Sequence, residues 1–187
     1  MSLAMTRQER ETFLADVHVG IISIHEEGRG PLTVPIWYTY DAGGELRIVT
    51  ARASRKGRLL ARVGRFSLCA QTETPPYQYV SVEGPITSTE AADLERDLRP
   101  LAHRYLGAAM GDRYIEQTRD AHEQAENVLI RMRPERWLTV DFAKAFGSLW
   151  GHLSGPRQHF RDVYGWLCRP DAVGIHSKRS NCRMGKA

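Results

Sequence analysis

Cysteine is scarce in this chain. The three present, Cys69, Cys168 and Cys182, have neither zinc-knuckle spacing nor the even count of a disulfide framework, and they are expected to be reduced, non-catalytic thiols. Long apolar runs are missing too, since no window approaches the about 18 consecutive apolar residues of a membrane span. The first residues mix Arg7, Glu9, Arg10, Glu11 and Asp16 with the apolar positions, so no signal-peptide core is read there. A cytoplasmic protein without a membrane partner is the expectation. No G-x-G-x-x-G follows a strand pattern, and neither G-x-x-x-x-G-K-[ST] nor G-x-S-x-G occurs, which excludes the dinucleotide fingerprint, the P-loop and the nucleophile elbow. His18, His25, His103 and His122 lack metal-ligand spacing and have no local Cys or carboxylate partner, so no metal centre or histidine-based catalytic group is read.

What is present suits a folded domain: 187 residues, 42% apolar and 26% charged. The net charge of +4 is unevenly placed. Residues 147–187 hold seven Lys and Arg against two Asp, net +5, and residues 1–146 hold 19 basic against 20 acidic, net −1. A nucleic-acid-binding body needs aromatics on a positive groove, so this balance argues against a nucleic-acid partner. The division also suggests a domain over 1–146 and an irregular basic tail over 147–187, where Gly and Pro punctuate a stretch without sustained period.

Along the body, Thr6 and Glu9 have the spacing of a capping box before Phe13, Leu14 and Val17, which predicts a helix over 6–16. Strand patterns follow over 18–25, 32–40 and 45–50, joined by Gly-containing turns and therefore antiparallel neighbours. Leu59, Leu60 and Val63 predict a short helix over 54–63, stopped by Gly64. Further strands are predicted over 66–71, 77–86, 127–133 and 137–140. Helical stretches over 91–105, broken near Pro100, and 112–124 lie between them. Six or seven mainly antiparallel strands leave exposed edges unless the sheet closes. The expected fold is mainly β with helical insertions, a six-stranded antiparallel split barrel.

Two segments carry chemistry. Thr50, Arg52, Ser54, Arg55 and Lys56 gather cations and hydroxyls where a strand gives way to a helix. Arg can grip a phosphate through paired N–H groups, Lys adds a point charge, and the helix start adds free N–H groups. Cations at a helix N-terminus oppose its dipole, a cost that a bound anion reverses. A solvated helix face is the alternative reading. In Pro35-Ile36-Trp37 a proline interrupts a strand ladder, leaving backbone free to face a ligand. Trp37, Tyr38 and Tyr40 can wall a flat ring or fill a core.

In their order and spacing, R-G-P-L-T-V-P-I-W-Y, G-G-E-L-R-I-V-T-A-R-A-S-R-K-G-R-L-L, R-F-S-L-C-A-Q and Y-V-S-V-E-G resemble the pyridoxamine-phosphate-oxidase-like, FMN-binding split-barrel superfamily. Within it they resemble the actinobacterial branch that uses FMN or the deazaflavin coenzyme F420. The likeness runs from about Arg7 to Val140. It implies a cofactor ring against Pro35, Ile36 and Trp37, and a cofactor phosphate held by Thr50, Ser54, Arg55 and Lys56, with Arg52 as a further contributor. It also implies a homodimer with sites at the interface, the partner adding a wall around Tyr77 and Tyr79 or from the C-terminal strands. The implied activity is hydride transfer between F420 or FMN and a conjugated small-molecule acceptor, with no catalytic side chain assigned. A non-catalytic flavin, F420 or haem carrier is the alternative. The substrate-phosphate residues of a true pyridoxamine-phosphate oxidase have no match, so vitamin B6 oxidation is not implied, and the tail has no counterpart in the family.

Overall fold

The computed structural model describes residues 2–145. The expected tail, with Cys168 and Cys182, lies outside them. Thr6 opens α1 (Arg7–Ala15): its hydroxyl accepts from the Glu9 N–H at 3.3 Å, and the Glu9 carboxylate accepts from the Thr6 N–H at 2.6 Å. This reciprocal cap satisfies two helix-end donors.

Five strands and a short helix follow. They are β1 (Gly20–Ile24), β2 (Leu32–Ile36), β3 (Tyr38–Tyr40), β4 (Leu46–Ala51), α2 (Arg55–Val63) and β5 (Arg65–Gln71). The long β6 (Gln78–Ala91) leads to a π-helical turn over Leu94–Leu98, then α3 (Arg99–Leu106) and α4 (Ala108–Gln124). The described chain closes with β7 (Asn127–Met132) and β8 (Arg136–Asp141).

All the strand pairings are antiparallel, in the order β2-β1-β5-β6-β7-β4-β3, with β8 also on β6. The sheet curls into the open half-barrel of a split-barrel fold. Among the described residues its strands number eight rather than six. The single strand expected over 32–40 divides at Trp37: Ile36 pairs with Gly20 of β1, whereas Tyr38 pairs with Ile48 of β4. The residues at 137–140 form a full ladder, Arg136–Asp141 against Gln78–Glu83. β6 passes from one half to the other, and its register shifts between Ile86 and Ser88. Gly84 lies at this passage, where an added Cβ would stand 1.8 Å from the Arg133 carbonyl oxygen.

Ile22, Ile24, Tyr38, Leu46, Ile48, Leu60, Leu68, Val80 and Met132 fill the interior, all fully or almost fully buried. Each large aliphatic side chain so buried contributes about 1.5–3 kcal/mol of transfer free energy. Along β4 the faces alternate: Leu46, Ile48 and Thr50 are buried, while Arg47, Val49 and Ala51 are partly exposed.

A smaller core of Leu98, Ala102 and Ile115, with Val49 and Tyr114 against it, joins the helical insert to β4. The helix expected from residue 91 starts later, because Ala91 continues β6 opposite Val128. Asp93 then caps the π turn through the Glu95 and Arg96 N–H groups at 2.9 and 2.7 Å. Pro100 falls in the first turn of α3, where its missing N–H costs no helical bond. No described helix is long and apolar enough to cross a membrane.

Candidate functional site

Ser54 fixes the start of α2. Its hydroxyl accepts from the Gly57 N–H at 3.0 Å and donates to the Ala51 carbonyl at 2.7 Å, and the Thr50 hydroxyl approaches it at 3.3 Å. Because the Ser54 proton is committed to Ala51, Thr50 is the donor in that contact. The cap leaves the Arg55 and Lys56 N–H groups without an acceptor among the described residues. Gly57 makes the arrangement possible: an added Cβ would stand 2.4 Å from the Ala51 oxygen and 2.6 Å from that of Arg52. The helix therefore begins directly on the backbone of the preceding turn.

The cations around this start differ. Lys56 is half-buried, and among the described residues it has no hydrogen bond or ion pair. Burial pushes its ammonium below the usual lysine range. Arg55 is exposed and pairs with Glu26 in the β1–β2 turn. That hydrogen bond, opposed by partial desolvation, holds the Glu26 carboxyl below its ordinary range. Arg58 donates to the Ala53 carbonyl. Arg52 is exposed, and its N–H donates to the Glu126 carbonyl at 3.2 Å. Glu126 holds the left-handed conformation at φ 46°.

Thr50, Ser54, Arg55 and Lys56 thus meet at one corner, where β4 ends and α2 begins. Pro35 and Ile36 belong to β2 and pair with Ile21 and Gly20; Pro35 is exposed on this terminal strand and Ile36 is buried. Trp37 connects the two groups. Continuing the β3–β4 register by one position sets it opposite Val49, next to Thr50.

The Trp37 ring is already engaged. Tyr105 of α3 stacks on it with centroids 4.9 Å apart and planes 4° from parallel, and Tyr114 of α4 tilts against it at 5.8 Å. Tyr114 in turn meets His122 edge-on at 5.8 Å. The amide of Asn127, the residue paired with Ala51, donates to His122 Nδ1 at 3.1 Å. Desolvation holds His122 below the usual histidine range. An aromatic row therefore runs from the strand break toward the end of β4. Tyr38 and Tyr40 are core residues, buried inside the barrel.

Glu26, Tyr105 and Tyr114 are missing from the set read in sequence. Each is distant in the chain from its partner, and only the topology brings them together. Gly57 carries a readable signal, a glycine at the third position of an otherwise ordinary amphipathic helix. Cys69 lies half-buried on β5 as a free thiol, pushed up by burial.

An antiparallel sheet curled into an open half-barrel is the fold of the split-barrel, flavin-binding class. The family model described as pyridoxamine 5'-phosphate oxidase matches residues 6–141, and the chain belongs to that family. No curated protein matches it by sequence. Among solved structures it is similar to the conserved hypothetical protein Rv2991 from Mycobacterium tuberculosis, with 22% identity, a TM-score of 0.59, and coverage of 76% of this chain and 89% of that one. Atu2129 from Agrobacterium tumefaciens gives 12% identity, a TM-score of 0.53 and coverage of 74% and 61%. General Stress Protein 26 from Bacillus anthracis gives 15% identity, a TM-score of 0.50 and coverage of 72% and 92%. At these identities the likeness concerns the fold.

Proposed function

We propose that this chain is an oxidoreductase that binds F420 or FMN and passes hydride to a conjugated small-molecule acceptor. The observation that carries the reading is Lys56, a half-buried cation beside unpaired helix N–H groups and with no anion of its own among the described residues. That donor set fits a phosphate monoester, which FMN and F420 share. Lys56 supplies the charge, the Arg55 and Lys56 N–H groups supply direct hydrogen bonds, and Thr50 adds a hydroxyl donor only when its proton turns from Ser54 to the phosphate. Arg55 joins them when its guanidinium leaves Glu26.

The bound ring supplies the hydride chemistry. Pro35, Ile36 and Trp37 bring backbone to the ring edge, and Pro35 leaves one ladder position without a donor. Arg52 lies at the rim as an additional cation, and Arg58 and Arg62 extend positive charge along α2 toward the acidic tail that distinguishes F420. In this reading two copies form a homodimer, each adding the region of Tyr77 and Tyr79 to the other's site. On the same reading residues 1–146 are the cofactor-binding domain, and the basic segment 147–187 is assigned no part in binding.

The test is a titration of cofactor-free protein with F420 and, separately, FMN, followed by cofactor fluorescence and repeated with Lys56→Ala. Tight binding by wild type and an about 10- to 100-fold loss in the variant are expected for a charge-assisted contact. Preference for F420 assigns the deazaflavin branch, and preference for FMN assigns a flavin enzyme. Binding that never turns over with acceptors assigns a carrier. Binding of neither overturns the proposal.

A further inference from the structure

The outer face of β4 and β7 holds a second feature, on the opposite side of β4 from buried Thr50. The helical insert roofs this face and leaves a cavity of about 190 Å³, with Arg47 and Arg131 on one wall, Arg96 and Asp97 on another, and a floor that includes Val49 and Leu129. Pocket volumes for drug-sized ligands begin near roughly 300 Å³, so the occupant that fits here is small.

Arg47 and Arg131 are directly paired across β4 and β7. Like charges at such a position repel, and both side chains are about one-third exposed, 32% and 31%. The surrounding carboxylates offset this incompletely. Asp41, 77% exposed, takes one Arg47 nitrogen at 2.5 Å. Glu90 stands 3.8 Å from Arg131, beyond hydrogen-bonding distance, and Arg131 has no side-chain hydrogen bond among the described residues. Asp97 does line the cavity, but its two oxygens are occupied by Arg96 at 2.9 and 3.2 Å, and one of them also by the Asp93 N–H at 2.8 Å. The Thr39 hydroxyl accepts from Arg47 Nε at 3.1 Å and keeps its proton for another acceptor.

Two arginines at paired positions of one ladder, both lining the cavity and with donors to spare, a hydroxyl donor and an aliphatic floor match one chemistry. We propose that this cavity binds a small organic carboxylate, its oxygens between Arg47 and Arg131 and within reach of Thr39, its hydrocarbon body on Val49, Leu101 and Leu129. Arg131 is the principal contact, because its N–H fork is uncommitted and matches a carboxylate geometrically. The inference uses arginines that the cofactor reading does not assign, and the two readings approach each other only where Trp37 stands opposite Val49.

The experiment is calorimetric titration of the full-length chain with benzoate, with benzyl alcohol and inorganic phosphate as comparison ligands. Saturable one-site binding of benzoate is expected, with both comparison ligands at least about ten-fold weaker. Arg131→Gln should weaken benzoate at least about ten-fold, the loss expected for a charge-assisted contact. Arg131→Lys should fall between, keeping the charge without the fork. Ligand-free Arg131→Gln should melt no lower than wild type, since the substitution relieves a repulsion. Benzoate that fails to bind, binds Arg131→Gln as well as wild type, or is matched by benzyl alcohol or phosphate overturns the proposal.

Discussion

The indole of Trp37 lies flat on the phenol ring of Tyr105, 4.9 Å between centroids and 4° from parallel. The same tyrosine repairs the strand break that Trp37 creates. Its hydroxyl accepts from the Tyr38 N–H at 3.1 Å and donates toward the His18 carbonyl at 2.8 Å, satisfying backbone groups that no ladder reaches. Arg104 adds a second clamp, donating to the carbonyls of Ala15 and Asp16 at 2.7 Å each. The insert is thereby fastened to the barrel at its most irregular point.

Removing only that hydroxyl isolates its contribution. Tyr105→Phe keeps the stack and leaves the Tyr38 N–H and the His18 carbonyl unpaired, an expected loss of about 1–3 kcal/mol in urea unfolding. Tryptophan emission of the folded protein should be unchanged in Tyr105→Phe and altered in Tyr105→Ala, which exposes the indole face.

Gly57→Ala tests how closely α2 sits on its preceding turn. In an unconstrained helix this exchange stabilises by about 1 kcal/mol. Here the new Cβ meets two backbone oxygens inside 2.7 Å, and the expected sign is opposite. A loss of about 1–3 kcal/mol and weaker cofactor binding should appear together in thermal unfolding and titration.

Glu26 competes for Arg55, and Glu26→Gln should raise affinity for a phosphate-bearing cofactor. The gain should be no more than about five-fold, the scale of a single solvent-facing ion pair. Affinity unchanged in Glu26→Gln would mean that Arg55 has no part in phosphate binding.

The α1 cap gives a pH prediction. The Lys144 ammonium and then the Thr6 N–H hold the Glu9 carboxyl down to about 2, from an ordinary 4.5. A carboxyl depressed in the folded state adds stability above its unfolded value, and that stability is lost as pH falls toward the folded value. Glu9→Gln should therefore destabilise at neutral pH and flatten the loss of stability between about pH 4.5 and 2, as followed by circular dichroism during acid titration.

Local signals in the sequence carry much of this architecture. Thr6 and Glu9 mark a helix start by spacing alone, Ser54 and Gly64 bracket α2, and Gly43-Gly44 sets the β3–β4 turn. The break at Trp37 is not legible, because residues 32–40 keep an apolar pattern with no glycine to mark where one half of the sheet hands over to the other. The beginning of the insert is misplaced for a similar reason: nothing in T-S-T-E-A stops a strand, and β6 runs on to Ala91 where β7 receives it. Within the candidate site, the clustering of Thr50, Ser54, Arg55 and Lys56 follows from their nearness in the chain. The pairing of Arg55 with Glu26, the cover of Tyr105 over Trp37 and the opposition of Arg47 to Arg131 depend on strand order, which no single segment encodes.

The outermost strands of the sheet, β2 and β3, are joined through the single residue Trp37. Their facing ends can separate by no more than the span of two peptide units, about 7.2 Å between Ile36 and Tyr38 Cα atoms. A molecule that pries the half-barrel open must spread it away from this joint. Trp37 acts as the clasp of a bracelet, holding its two free ends together.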